Sequence, residues 1–154
     1  MIRQAQIADL PRLLELGRQL HKDTPYADVP IDTLTCGQTL GQCINNAFGV
    51  AFVAIHDHKI TGFMMGVAVP LWFSKKRSAT DLITYAETPG DGYRMLRRFM
   101  QWAWSIPNVV EITIGQSSGI DTERTARLYE RAGLIRVGSL YTAVRPVVAA
   151  EEAA

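Results

Sequence analysis

The spacing of apolar residues changes several times along the chain, and each change predicts a new element of secondary structure. Residues 2–6 predict a short strand, and apolar residues from Leu10 to Gly17 then recur at the spacing of one helix face. After a polar, proline-rich loop, residues 32–46 again show helical spacing. Residues 49–73 are instead rich in β-branched and aromatic side chains, which favours two strands joined at residues 57–58.

The second half of the chain repeats the order strand, then helix. The elements predicted there are a strand over 81–87, a helix over 92–105, a strand over 108–115, a helix over 121–133 and a final strand over 134–144. Asp121 or Thr122 caps the second of these helices, and Gly133 lies where a left-handed terminating residue belongs.

Taken together, these elements predict an α/β fold. Two strand–helix units late in the chain predict a parallel pair of strands, and the earlier hairpin predicts antiparallel neighbours. A mixed sheet with helices on both faces follows from this order. We expect residues 1–145 to form a single domain and residues 146–154 to form a weakly ordered tail.

Composition narrows the class of protein without naming a function. The chain has 154 residues and a formal net charge of +1, so no overall field favours nucleic acid or a membrane surface. Cys36 and Cys43 lie on one predicted helix, on the order of 10 Å apart, which is too far for a disulfide. Reduced cysteines, the lack of a signal peptide at the first residue and the lack of a long apolar run predict a cytoplasmic protein.

A glycine-containing turn, Thr88-Pro-Gly-Asp-Gly-Tyr-Arg94, lies where a predicted strand gives way to a helix. The first N–H groups of a helix are unpaired and its dipole is positive at that end, so glycines there allow a phosphate to approach. A plain solvent-exposed bend is the alternative. The spacing of Gly90 and Gly92 fits neither a Walker loop nor the three-glycine dinucleotide fingerprint.

Several stretches in order resemble the GNAT family of acetyl-CoA-dependent N-acetyltransferases. The turn ETPGDG has the spacing of that family's Arg/Gln-x-x-Gly-x-Gly/Ala motif, although Glu87 stands where Arg or Gln is usual. IRQAQIADLPRLLEL is similar to the family's opening strand and helix, FVAIHDHKITGFMMGV to its hairpin, and ARLYERAGLIRVG to its closing signature. The resemblance extends from Ile2 to about Val144. The stretches LHKDTPYADVPID and TERTARLYERAG also look like those of small phage or prophage members of the family.

The resemblance implies a fold and a reaction. The fold would be a mostly antiparallel sheet of six to seven strands with a splayed parallel pair. The reaction would be direct transfer of an acetyl group from acetyl-CoA, without a metal, to a primary amine of a small molecule or protein. The loops 22–31 and 71–80 would select the acceptor, and a homodimer is common in the family.

The resemblance also implies site residues. The coenzyme would contact Ile83, Thr84, Tyr85, Ala86, Glu87, Gly90, Asp91, Gly92, Tyr93, Arg94 and Thr122. Tyr129 matches the family's acid that protonates the coenzyme thiolate, with a tyrosine packed in the core as the alternative. Thr122 stands where many relatives have Asn, and a helix cap is the alternative role for it.

The general base is less clearly marked. Glu111 lies on a predicted strand whose alternation allows either orientation, and we take it as the candidate base, with Asp81 and Tyr85 as alternatives. His56 and His58 share a strand face, but two ligands without a third favour a polar hairpin tip over a metal site.

A different class of function is also compatible with these residues. The protein would then be a catalytically weak or inactive relative that binds coenzyme or serves as a phage structural or interaction protein. The acidic residues Glu87 and Asp91, together with Pro89, favour that reading because they depart from the usual loop.

Overall fold

The computed structural model describes residues 1–116, 118–143 and 145, and the predicted tail over 146–154 lies outside these ranges. A 3-10 turn over Ile7–Asp9 leads into the first helix. The helices are α1 (Leu10–Lys22), α2 (Thr33–Asn45), α3 (Asp91–Ser105) and α4 (Thr122–Arg131). The strands are β1 (Ile2–Gln4), β2 (Gly49–His56), β3 (Lys59–Pro70), β4 (Arg77–Ala86) and β5 (Val109–Thr113).

The five strands form one mixed sheet in the order β1-β2-β3-β4-β5. Every neighbouring pair is antiparallel except β4 and β5, which are parallel. The predicted mixed sheet with one parallel pair is therefore confirmed. The parallel pairing runs from Arg77 opposite Val109 to Thr80 opposite Thr113, after which β4 continues to Ala86 without β5 beside it.

The helices cover both faces of the sheet, as the pattern predicts. On one face, Leu13 and Leu16 of α1 pack with Val53 and Phe63 of the sheet. On the other face, the apolar side of α3 packs against the alternate residues of β2 and β3. Within the described ranges, no helix has both the length and the apolar character needed to cross a bilayer.

The count of six to seven strands is wrong for the described part of the chain, which contains five. The predicted strand over 134–144 is the difference: residues 134–143 are not in a strand, and Val144 lies outside the described residues. The sequence alternates as a strand should, but none of the described strands pairs with it. A strand without a partner leaves its main-chain groups unpaired, so alternation alone does not produce one.

A β-bulge in β4 fixes the place where the sheet opens. Met65 lies opposite Ile83 and Gly66 lies opposite Asp81, so Leu82 between them has no partner on β3. A Cβ on Gly66 would lie 2.5 Å from the Phe99 ring of α3 and 2.5 Å from the Thr80 carbonyl oxygen. Glycine at this position therefore lets α3 pack directly onto the strand pair at the level of the bulge.

Candidate active site

A cleft of about 840 Å³ opens where β4 and β5 separate. Its floor is the far half of β4, from Asp81 to Ala86. One end is bounded by α1, α2 and the loop between them, and the other by the start of α3 and by α4. The cleft crosses the sheet, so two molecules that enter from opposite ends would meet beside β4.

The cleft brings together many of the residues that the resemblance implies, but not all. Those that line it are Ile83, Thr84, Tyr85, Ala86, Glu87, Gly90, Gly92 and Tyr129. Those outside its lining are Asp91, Tyr93, Arg94, Glu111 and Thr122. Of the two loops expected to select an acceptor, residues 22–31 contribute to the lining and residues 71–80 do not.

The glycine turn presents free amides at the start of α3. Gly90 has φ 90° and ψ −18°, a left-handed conformation that glycine adopts without a steric cost, and it precedes the first residue of α3. The Asp91 amide already donates to the Thr88 carbonyl at 3.3 Å. The amides of Gly90, Gly92 and Tyr93 have no main-chain acceptor among the described residues, so they remain available at the positive end of the helix.

The Asp91 carboxylate, which looked incompatible with an anion site, points into the protein. It is fully buried, accepts a hydrogen bond from His56 Nε2 at 2.7 Å and accepts one from Arg94 at 3.1 Å. Two nitrogen donors therefore satisfy both of its oxygens away from the free amides. The buried group also anchors the turn to the end of β2.

The second acidic residue of the turn is compensated as well. A carboxylate oxygen of Glu87 lies 3.5 Å from the Arg12 guanidinium of α1, and the Glu87 amide donates to the Thr61 carbonyl at 2.8 Å. Arg12 also donates to the Ile60 carbonyl at 3.0 Å, which fixes the guanidinium at this place. Glu87 thus joins the turn to α1 and to β3.

A three-residue arrangement lies at the middle of the cleft. The Gly115 amide donates to Asp81 Oδ1 at 3.3 Å, and the Tyr129 hydroxyl lies 3.5 Å from the Gly115 carbonyl oxygen. Burial raises the pKa of Asp81 from 3.8 to about 6, against the Gly115 hydrogen bond, which lowers it. Burial, and then the charge of Asp81, raises the pKa of Tyr129. Near neutral pH the carboxyl is therefore mostly ionised and the phenol keeps its proton.

Sequence reasoning gave Glu111 precedence over Asp81 as the base. Glu111 is exposed on β5, where it lies opposite Ser78 in the part of the sheet that is still paired. Asp81 lies on β4 just beyond the last pairing with β5, so its side chain reaches the opening. The predicted strand began at Asp81, whereas β4 begins at Arg77, and this earlier start places Asp81 within the strand at the bulge.

Two further contributors have no clear signal in the sequence. His56 lies 35 residues before Asp91, and nothing in the local pattern of either residue connects them. Arg124 and Thr125 of α4 also line the cleft. Polar residues of a helix recur with the same sequence spacing whether they face a cleft or the solvent. The packing of α4 against the sheet decides which of its residues face the cleft, and the sequence pattern does not.

Comparisons with known proteins show which fold this is. No family model matches the chain, and no curated protein matches it. Among solved structures, the chain is similar to a predicted acetyltransferase from Clostridium acetobutylicum solved with acetyl-CoA, at 18% identity and a TM-score of 0.68, covering 94% of this chain and 95% of that one.

Two aminoglycoside acetyltransferases are similar to the same extent. One, from an uncultured soil metagenomic sample and solved with sisomicin, gives 18% identity and a TM-score of 0.66 over 94% of this chain and 96% of that one. The other, a 6′-N-acetyltransferase from Acinetobacter haemolyticus, gives 13% identity and a TM-score of 0.68 over 96% and 99%. At these identities the likeness shows a fold shared with these acetyltransferases, and no more than that.

The contact between His56 and Asp91 yields a prediction about stability. Changing His56→Ala leaves a buried carboxylate oxygen without its donor, and we expect the free energy of unfolding to fall by about 1–3 kcal/mol in urea titrations followed by circular dichroism. His58→Ala is the matched control, since His58 is an exposed histidine of the same hairpin turn and should change stability by less than about 0.5 kcal/mol. Equal losses in the two variants would contradict an anchoring role.

Proposed function

We propose that the protein is a GNAT-family N-acetyltransferase that moves an acetyl group from acetyl-CoA directly to a primary amine. The observation that carries this proposal is the cleft itself. It combines free amides at a helix start, an unpaired strand edge, and a carboxylate and a phenol that share one glycine. A non-catalytic relative that binds coenzyme would use the amides and the strand edge, but it would not require the carboxylate and the phenol to meet them at one opening.

The residues of the cleft fit the coenzyme. The amides of Gly90, Gly92 and Tyr93 would hold its pyrophosphate, and Arg124 adds a positive charge to the cleft lining. The edge of β4 over 83–86 is free to pair with an extended, amide-bearing arm in the manner of an added strand. When bound, acetyl-CoA supplies the activated acetyl thioester.

Asp81 and Tyr129 divide the proton chemistry. An alkyl ammonium has a pKa near 10, so the acceptor must lose a proton before it can react, and the ionised Asp81 carboxylate is the group on β4 positioned to accept it. Tyr129 retains its proton at neutral pH and can donate it to the departing sulfur. A main-chain N–H at the β4 bulge would stabilise the negative charge that develops on the acyl oxygen.

The acceptor would enter at the end formed by α1 and α2. Leu14, Tyr26, Ile31 and Phe63 give that end an apolar wall, and Asp23 adds an acidic group that suits a cationic amine. The aminoglycosides that similar structures bind make small polyamines the first acceptors to test. A cytoplasmic location, a single domain and a phage or prophage origin stay predictions.

The coenzyme site can be tested with a substitution that separates binding from stability. A Cβ on Gly92 would meet no atom within 4 Å, so Gly92→Ala is tolerated in the first turn of α3 and should stabilise the protein by about 0.5–1 kcal/mol. The same methyl group would stand among the free amides, and we expect CoA binding measured by calorimetry to weaken at least about tenfold.

Gly41→Ala is the control for this experiment. Gly41 lies within α2, away from the cleft lining, and a Cβ there also meets nothing within 4 Å. It should give the same gain in melting temperature with unchanged CoA affinity. If wild-type protein shows no heat with CoA, the proposed function is wrong, and the non-catalytic alternative replaces it.

Asp81→Asn should change stability and activity in opposite directions. The pKa of Asp81 is about 6 in the folded protein, above the value of 3.8 expected for the unfolded chain. The protonated Asp81 carboxyl therefore stabilises the fold fully below pH 3.8, and this contribution is lost as the pH rises through 6. At pH 7.5 the asparagine variant should therefore be more stable, by up to about 3 kcal/mol, and equally stable at pH 3.5. Its acetylation rate should fall at least about 100-fold.

Thermal melts across about pH 3.5–7.5 and a thiol-release assay with an amine panel measure these two effects. Asp28→Asn is the control, because Asp28 is exposed and outside the cleft lining. A rate for Asp81→Asn that matches wild type would remove Asp81 from the mechanism.

Tyr129→Phe tests the acid. The variant keeps the ring, which packs against the core beneath α3, and removes only the hydroxyl. We expect turnover to fall by about 10- to 100-fold, while the calorimetric Kd for CoA stays within about twofold of wild type. A parallel loss of CoA affinity would indicate a packing role for Tyr129 instead.

A further inference from the structure

The turn that joins β3 to β4, residues 71–76, carries two exposed aromatic side chains. The exposed fractions of Trp72 and Phe73 are 94% and 67%, and their rings contact each other edge to face with centroids 5.3 Å apart. Neither side chain lines the cleft. A single apolar residue on a surface is ordinary, but two large aromatic residues side by side at a turn indicate a surface that binds a partner.

Other segments of the chain meet the turn at this end of the sheet. The Ala68 amide donates to the Phe48 carbonyl at 2.8 Å, and the Arg77 amide donates to the Asn108 carbonyl at 2.8 Å. The Arg77 guanidinium also lies 3.6 Å from the centre of the Phe48 ring. The residues just before β2 and β5 are therefore held beside the turn.

These segments extend the apolar surface of the turn. Phe48 is exposed, and Trp104, in the last turn of α3 and four residues before Asn108, is also exposed. We call the exposed side chains at this end of the sheet the aromatic tip, which consists of Phe48, Trp72, Phe73, Lys75, Lys76 and Trp104.

The charges at this end of the sheet are all positive. Lys75 and Lys76 are exposed, and neither forms an ion pair with a carboxylate of the described residues. Lys76 Nζ lies 3.3 Å from the side-chain oxygen of Asn108, which is neutral and leaves the positive charge uncompensated. The segments 44–50, 68–77 and 104–110 contain no Asp or Glu. A chain with a net charge of only +1 thus gathers aromatic rings and unpaired cations at one end.

We propose that the aromatic tip docks the protein on the surface of a bilayer that contains anionic phospholipids. Tryptophan is enriched at the headgroup level of a bilayer, where an amphipathic ring contacts both apolar chains and polar groups. Lysines next to such rings attract anionic headgroups, and the two contributions add. The protein would lie on the membrane through side chains of a turn, without a segment that crosses it.

The chemistry of the tip fits a lipid surface better than two other occupants. A second copy of the chain, placed symmetrically on the tip, would bring the lysines of both copies together without an acidic partner. A single-stranded nucleic acid stacks its bases on open ring faces along a basic groove, whereas the Trp72 and Phe73 rings meet at 81° and the edge of one faces the other.

Docking at the tip would leave the cleft open to solvent. The floor of the cleft begins at Asp81, the fourth residue after Arg77 on β4, and therefore about 13 Å along the strand. It continues from there to Ala86 and the glycine turn, away from the tip. The proposal does not depend on acetyl transfer, because the side chains of the tip lie outside the cleft lining.

Vesicle flotation with the full chain tests the docking. The vesicles contain either phosphatidylcholine alone or phosphatidylcholine with about 30% phosphatidylserine, in about 0.1 M salt. We expect the protein to bind the anionic vesicles at least about tenfold more tightly than the neutral ones, and about 0.5 M salt to release most of it. Tryptophan fluorescence should shift to shorter wavelength on binding, because the Trp72 ring leaves water.

Two pairs of variants separate the aromatic and the charged contributions. Trp72→Ala should weaken binding to the anionic vesicles at least about tenfold, whereas Leu34→Ala, at an exposed leucine of α2, should not change it. Lys75→Glu should weaken binding at least about fivefold, whereas Lys59→Glu, the same charge change at the opposite end of β3, should leave it within about twofold. Trp72 and Lys75 are exposed, so both tip variants should keep the circular dichroism and melting temperature of the wild type.

Several results would overturn the proposal. The first is no flotation with anionic vesicles, and the second is equal binding of neutral and anionic vesicles. The third is an equal loss in Trp72→Ala and Leu34→Ala, or in Lys75→Glu and Lys59→Glu. A dimer in sedimentation that Trp72→Ala dissociates, without vesicle binding, would assign the tip to a second copy. Binding of a single-stranded RNA oligonucleotide that Trp72→Ala abolishes, again without vesicle binding, would assign the tip to nucleic acid.

Discussion

Hydrogen bonds between β4 and β5 end at Thr80 and Thr113, and the site depends on where they end. Before that point the two strands form a continuous sheet; beyond it β4 continues alone and its edge becomes the floor of the cleft. The bulge at Leu82 and the close packing of Phe99 against Gly66 lie at the same level. The opening is therefore built into the register of the sheet and is supported from one face by α3.

The acidic residues of the glycine turn show how tertiary contacts can compensate for carboxylates that would otherwise repel an anion. Asp91 and Glu87 together would oppose an anion if both faced the helix start. His56 and Arg94 satisfy the first, and Arg12 lies beside the second, so both carboxylates are tied to the body of the protein. What remains at the helix start is a group of main-chain donors, whose number does not depend on side-chain identity.

Sequence reasoning reached the parts of this fold that are local. Helical spacing located the four helices within a few residues, and Gly133 has the left-handed φ of 95° that its position predicted. The contact between His56 and Asp91 joins a strand end to a helix start, and no periodicity encodes it. The strand predicted over 134–144 is not formed over residues 134–143 for a related reason: alternation describes a side-chain pattern, whereas a strand also needs a neighbour, and no described strand pairs with this segment.

In the proposed mechanism, the charge of Asp81 would set the order of the proton transfers. The negative charge of Asp81 is one of the causes that raise the pKa of Tyr129, so an ionised Asp81 helps to keep Tyr129 protonated. If Asp81 takes a proton from the amine as proposed, that charge is lost and the Tyr129 pKa falls towards the value set by burial alone. In that mechanism Tyr129 would become a stronger acid after Asp81 has acted, when the departing sulfur needs a proton. Gly115, which contacts both side chains through its amide and its carbonyl, keeps them near enough for this coupling.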